Sequence, residues 1–220
     1  MLGQVPGIDQ IISKGEVLPN FDYQCPLMSL PLAFKTELHS IPSAPQLTID
    51  GDSAKQWKNK LGDKIKPRVG LVWSGSTIHT NDHNRSLSLA QLLPHLPPNI
   101  EYVCLQKEVR LADQALLEQR DDIQYFGDEL NDFMDTAALC SLMDIVISVD
   151  TSVAHLSATL GKPTWVLLPF SPDWRWLLNR DDSPWYPSAT LYRQEKVGQW
   201  STTLERIEMD LGRLSIKHKH

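Results

Sequence analysis

The stretch Asp144-Ile-Val-Ile-Ser-Val-Asp-Thr-Ser-Val-Ala-His155 decides how this chain folds, because its pattern changes halfway along. The run from Asp144 to Val149 is apolar and β-branched, as in a strand buried on both faces, whereas residues 151 to 160 read as a helix that stops at Gly161 with Pro163 just beyond. The result is a strand–loop–helix unit. Asp150 or Thr151 can occupy the cap position, which leaves the backbone N–H groups of the first turn, at Ser152 and beyond, facing whatever lies above the sheet edge. Such a helix start favours anions. Helical side chains lean toward the N-terminus, so His155, one turn in, shares that face with Ser152. A phosphate-bearing ligand is the expectation; the plainer alternative is a capped helix that binds nothing.

Working outward, strand-length apolar runs alternate with helical patterns from Arg68 onward. Strands are expected at Val69 to Trp73, Tyr102 to Leu105, Ile123 to Phe126, 144 to 149 and Thr164 to Leu168. Helices are expected at Ser88 to Leu96, with Ser88 as its cap, and at Lys107 to Gln119, Asn131 to Met143 and 151 to 160. Such alternation implies parallel strands joined by right-handed crossovers, an α/β, Rossmann-like, doubly wound sheet. Ligands of such sheets bind outside the carboxyl ends of the strands, so the loops after Trp73, Leu105, Phe126, Val149 and Leu168 should share one functional edge.

The first of those loops, Ser74-Gly-Ser-Thr-Ile-His-Thr-Asn-Asp-His-Asn-Arg-Ser86, has the composition of an oxyanion cradle. Ser74, Gly75 and Ser76 let backbone N–H groups and hydroxyls come close, and Arg85 offers a guanidinium fork. The loop lacks the Gly-Lys-Ser/Thr ending of a Walker loop, and no Gly-x-Gly-x-x-Gly follows any strand. His79 and His83 have metal-pair spacing, but Asn81, Asp82 and Asn84 favour a loop, and no metal is expected. After the second strand, Gln106 and Lys107 are candidates to contact phosphate or ribose; Lys107 reads equally as a solvated lysine. After the third, Phe133 can cup a base and Asp132 can bind a ribose, although a helix cap is the simpler account of Asp132. Pro169-Phe-Ser-Pro-Asp-Trp-Arg-Trp176, with Trp185 and Tyr186, supplies aromatics for a pocket wall or an interface.

Composition narrows the function classes. The chain has 220 residues, 41% hydrophobic and 22% charged, with a net charge of −6, which argues against a nucleic-acid or anionic-membrane surface. It lacks an apolar run of about 18 residues and the basic-then-apolar order of a signal peptide, so a cytoplasmic location is expected. Cys25, Cys104 and Cys140 are odd in number and widely spaced, as expected of reduced core thiols. Residues 1–66 are rich in proline, with one helix expected at Ser53 to Leu61; they are read as the remnant of a preceding domain and a linker. Residues 67–200 form the ligand-binding domain, and 201–220 an amphipathic helix and tail carrying Leu204, Ile207, Leu211 and Leu214.

The order of these motifs resembles glycosyltransferase family 9. Trp73-Ser-Gly with His79, Asn81-Asp82 and Arg85-Ser86, then Asp150-Thr-Ser-Val-Ala-His155, Gly161-Lys-Pro163 and Asp173-Trp-Arg-Trp176 look most like the catalytic region of bacterial tetratricopeptide-repeat proteins related to the ADP-heptose lipopolysaccharide heptosyltransferases. The resemblance covers most of residues 20–200. It implies the C-terminal half of a GT-B fold, which holds a nucleoside-diphosphate sugar as donor substrate and needs no cofactor. It also implies that the block of Asp150, Thr151, Ser152 and His155 holds the diphosphate, and that Ser74 to Ser76 with Arg85 form the facing loop. His155 and Arg85 would then stabilise the leaving group without a metal. Two departures stand out. The family places a lysine shortly after the first-loop serine, where this chain has Ile78 and His79, and the acceptor domain that carries the family's general base is nearly absent. Tetratricopeptide repeats, helical pairs of ~34 residues, are also missing. The partners implied are the sugar nucleotide, an N-terminal domain in cis or trans, a peripheral membrane acceptor and a second copy of the chain. The competing readings are a non-catalytic nucleotide-binding or interaction module, and an unrelated flavodoxin-like or epimerase-like fold.

Overall fold

The computed structural model describes residues 2–45 and 47–217. Its centre is a six-stranded, all-parallel sheet in the order β3-β2-β1-β4-β5-β6, formed by β1 (Arg68–Val72), β2 (Glu101–Cys104), β3 (Ile123–Tyr125), β4 (Ile145–Val149), β5 (Thr164–Leu168) and β6 (Ala189–Arg193). The chain starts in the middle, winds outward through β2 and β3, then returns past β1 to build β4, β5 and β6. This is the doubly wound Rossmann order, whose topological switch point lies between β1 and β4. The expected fold class is therefore observed, with β6 as a sixth strand that the apolar runs did not mark.

Every residue of β1 and β4 is buried, which requires helices on both faces and explains why these strands read as unbroken apolar runs. On one face Val69, Leu71, Ile145 and Ile147 pack against α2 (Leu89–Leu92) and against α6 (Ser201–Lys217) through Leu204, Ile207 and Leu211. On the other, Val72, Val103 and Val146 pack on α1 (Gly51–Leu61) through Trp57 and Leu61, and on α4 (Phe133–Ser141) through Ala138 and Leu139. Farther along that face Val166, Leu168 and Leu191 meet Ala154 and Ala158 of α5 (Ser152–Thr159), together with Trp176. Gly70 makes this packing feasible: a Cβ there would lie 2.5 Å from Leu105 Cδ1 and 3.1 Å from Met143 Cγ.

The expected boundary at residue 67 falls behind a helix, α1, that belongs to this core. Arg68, 2% exposed, ties the two together: its guanidinium donates to the carbonyls of Leu61 and Gly62 and pairs with Glu101 at 2.8 Å. Helix α6 likewise covers the sheet and is no separate unit. Residues before α1 are mostly irregular and exposed, with one α-helical turn at Leu30–Ala33 and 3-10 turns at Leu2–Gln4, Leu27–Ser29 and Leu38–Ser40. The tail at 218–220 lies outside the described residues. Among the described residues no helix is long and apolar enough to cross a membrane.

Local signals hold where the chemistry is local. Ser88 caps α2 in a reciprocal capping box with Gln91. Helix α5 ends in a Schellman turn in which Gly161, at φ 70°, donates to Ala158 O and Lys162 donates to Ser157 O. One thiol departs from expectation. Cys104 and Cys140 are buried, and burial pushes their pKa up to about 12, but Cys25 is exposed because the segment around it packs on no core.

Candidate functional site

The carboxyl ends of β1, β2, β3 and β4 surround a cavity of about 790 Å³ at the switch point. Ser74, Gly75, Ser76 and Arg85 line it from the loop after β1, Gln106 and Lys107 from that after β2, Asp132 from that after β3, and Thr151 and Ser152 from that after β4. The structure thus brings these nine expected residues to one crevice. Asp150 and His155 are not among its lining residues.

The start of α5 is open. Thr151 stands at the cap position in extended conformation, but its side chain caps nothing; its hydroxyl lies 3.1 Å from Ser148 Oγ instead. Asp150 does not cap the helix either, since its carboxylate turns toward His155, with Oδ1 at 3.6 Å from Nε2. The first-turn N–H groups therefore keep the partial positive charge of a helix start.

Beside it lies a buried ionic knot that the sequence did not reveal. Asp82, 7% exposed, accepts a hydrogen bond from Ser86 Oγ at 2.7 Å and one from Arg110 Nη2, and lies 3.5 Å from Arg85 Nε. Arg110 Nη2 also donates to Gly75 O at 3.0 Å, and Arg85 Nη1 donates to Asp150 O at 2.7 Å. Both arginines are among the residues that line the cavity. A Cβ at Gly75 would sit 2.5 Å from Arg85 Nη2, so the glycine leaves room for the guanidinium in its present place. Arg110 was missed because it falls in the first turn of the helix expected from Lys107, where it resembles an ordinary solvated cation. Asp82 was masked by the neighbouring histidines. His79 Nδ1 accepts from Asn81 N at 3.2 Å as part of the loop's own turn. Among the described residues no group of three or more His, Cys, Asp or Glu side chains is arranged to hold a metal.

Two expected contact residues are occupied by structural tasks. The Gln106 carbonyl accepts from Trp73 N and Ser74 N at 2.8 and 3.1 Å, and its amide donates to Ser74 Oγ and Glu108 O. It pins the end of β1 to the loop after β2. Asp132 caps α4, accepting from Met134 N and Asp135 N at 2.7 and 3.1 Å. Lys107, by contrast, is exposed and reaches Asn131 O at 3.5 Å. Leu130 and the half-exposed Phe133 add an apolar wall.

His155 belongs to an aromatic cluster. Its ring stacks on Trp176 with centroids 5.0 Å apart, and Nδ1 lies 3.0 Å from Tyr186 Oη. Burial raises the Tyr186 pKa, so the phenol keeps its proton, and Oη and Nδ1 share a hydrogen bond whose direction is set by the imidazole tautomer. Burial pushes the Asp150 carboxyl up, but the hydrogen-bonding and charge of its neighbours, His155 foremost and Arg85 among them, outweigh this and hold its pKa below the ordinary range. Asp150 therefore joins the two expected catalytic residues, holding Arg85 by its carbonyl and His155 by its carboxylate.

Fold and site define a Rossmann-type α/β domain with an open, arginine-lined crevice at its switch point. No family model matches the chain. Over 163 residues it is 29% identical to Protein FlbA of Caulobacter vibrioides, a match spanning 69% of this chain and 26% of that protein. In structure it is similar to ADP-heptose lipopolysaccharide heptosyltransferase II of E. coli, at 14% identity and a TM-score of 0.47 over 80% of this chain and 55% of that one. It is also similar to a family 9 glycosyl transferase of Veillonella parvula, at 12% identity and a TM-score of 0.49 over 79% of this chain and 53% of that one. A third similar structure is WaaG, a glycosyltransferase involved in lipopolysaccharide biosynthesis, at 15% identity and a TM-score of 0.42 over 88% of this chain and 54% of that one. The chain thus spans about half the length of these solved structures.

Proposed function

We propose that this chain is the donor-binding half of a glycosyltransferase acting in the cytoplasm. It holds a nucleoside-diphosphate sugar, of the ADP-heptose type, in the switch-point crevice for transfer to a glycan, lipopolysaccharide or protein acceptor. One observation carries the reading: the uncapped first turn of α5 and the Arg85 guanidinium face a single cavity of about 790 Å³. That is a volume suited to a small-molecule ligand. The diphosphate would lie across the helix start and Arg85, with the nucleoside along Leu130 and Phe133.

In the reaction an acceptor oxygen forms a bond to the anomeric carbon as the bond from that carbon to the diphosphate oxygen breaks. Charge grows on the departing diphosphate. The α5 amides, Arg85 and His155 would stabilise it without a metal, His155 from its place beside Asp150. The acceptor and the general base would be brought by the preceding domain of a longer protein. A second reading, a nucleotide-binding module without catalysis, draws support from the exposed apolar side chains of Val17, Leu18, Tyr23, Leu27, Leu32 and Phe34, a surface suited to a protein partner.

Calorimetric titration with ADP, GDP, UDP and their sugars tests the proposal. One diphosphate family should bind, and Arg85→Ala should weaken it by about 10- to 100-fold, the loss of a charge-assisted contact. Silence across the panel would contradict it, and binding without release of sugar by the full-length protein would favour the second reading.

A further inference from the structure

We infer that Arg110 is a second phosphate-binding cation of this crevice and that the buried Asp82 carboxylate is the positioning residue for both of its arginines; the inference rests on the sugar-nucleotide reading above. Arg85 and Arg110 come from loops after different strands, and Asp82 makes them neighbours, one on each carboxylate oxygen. Each guanidinium spends one nitrogen on the scaffold: Arg110 Nη2 on Asp82, Gly75 O and Ser86 Oγ, and Arg85 Nη1 on Asp150 O. Both Nε atoms are buried without a hydrogen bond among the described residues, Arg85 Nε keeping only its 3.5 Å ion pair with Asp82. Two cations thus share one carboxylate, and both arginines line the cavity. The other carboxylates in the lining do not cancel this charge locally, since Asp132 is committed to the α4 amides and Glu108 is exposed.

A held pair of guanidiniums suits a diphosphate, which presents several oxygens over two phosphorus centres, better than a monoanion. Removing Asp82 would leave two like charges side by side, free to spread apart in a solvated crevice.

The test compares affinities for whichever of ADP, GDP and UDP binds the wild-type chain, and for its parent nucleoside. Arg110→Gln should lower diphosphate affinity by about 10- to 100-fold and leave nucleoside affinity unchanged. Arg110→Lys, which keeps the charge but not the fork, should fall between, and is the variant to read if the glutamine variant does not fold. Asp82→Asn should weaken diphosphate binding by about tenfold even though it adds net positive charge. Unchanged diphosphate affinity in the Arg110 variants overturns the inference, as does equal loss of diphosphate and nucleoside, which marks a structural role. Tighter diphosphate binding by Asp82→Asn overturns the positioning role. Failure of the wild-type chain to bind any diphosphate overturns the inference together with the reading beneath it, and is distinguishable because the variants are then irrelevant to the outcome.

Discussion

Helices α4 and α5 start at the same sheet edge and both contribute their N-termini to one crevice, yet they end differently. Asp132 closes α4 by accepting from the second and third amides of the helix. At α5 the equivalent position is held by Thr151, whose hydroxyl is turned to Ser148, while the adjacent carboxylate of Asp150 is turned to His155. A capped helix start is locally satisfied and gains little from an anion. An open one beside two arginines keeps the partial positive charge of its first turn, an arrangement that favours an anion. The difference lies in which neighbours claim the polar side chains, not in the residue types at the cap.

The comparison can be broken by closing the open helix. Thr151→Asp places a carboxylate at a cap position already in extended conformation, so stability should rise by about 0.5–1 kcal/mol. The same charge should repel a diphosphate by about 2–4 kcal/mol, lowering affinity by roughly 30- to 1,000-fold. Thermal unfolding and calorimetry should move in opposite directions. If both improve, the helix start is not the anion site. Gly75→Ala leaves both helix ends untouched but forces the Arg85 guanidinium aside, and a tenfold loss of diphosphate affinity, on the order of 1.4 kcal/mol, is expected with little change in nucleoside binding.

Opening the closed helix is the converse. Asp132→Ala should cost about 1 kcal/mol of stability in chemical denaturation, with diphosphate affinity within about twofold of wild type. An equal loss in both would give Asp132 the ligand contact first expected of it.

How much of this was legible in the sequence depends on how far apart the interacting residues lie. The β4–α5 unit, the Ser88 cap and the Gly161 stop are local signals, and each is observed. The expected helix from Lys107 to Gln119 shortens to α3 (Leu111–Leu117) for a tertiary reason. Its first residues are held by Tyr125 Oη on Lys107 O and by Gln106 on Glu108 O. Gly127 packs in the same place, where a Cβ would come within 2.3 Å of Lys107 O. Strand β6 lies at the sheet edge with Thr190 exposed between buried Ala189 and Leu191, so it presents no unbroken apolar run of the kind that marked β4. The crevice residues of the β1 and β4 loops were readable because loop position alone assigns them to the carboxyl edge. The Asp82–Arg110 link spans 28 residues and two elements, and Gln106 looks like a ligand contact until its amide is seen to be consumed by Trp73 and Ser74. Sequence patterns report the edge of the sheet; they do not report which polar groups remain unspent there.

The smallest expected effect concerns the side chain that α5 does not use as a cap. The folded-state pKa of Asp150 is depressed, so its contribution to stability is complete above the unfolded carboxylate range and is lost as pH falls through the folded value. Asp150→Asn should be less stable than wild type near neutrality, and the gap should close as the pH drops below the ordinary Asp range near ~3.9. A gap independent of pH would show that the carboxylate charge does not matter there.

Amide chemical shifts followed by NMR during titration with the binding nucleoside diphosphate test the central claim most directly. The account predicts that the backbone amides of Ser152, Val153 and Ala154 and the side-chain N–H groups of Arg85 move most, while Met134 and Asp135 at the capped start of α4 stay near their free positions. Large shifts at Met134 and Asp135 with a silent α5 start would contradict it.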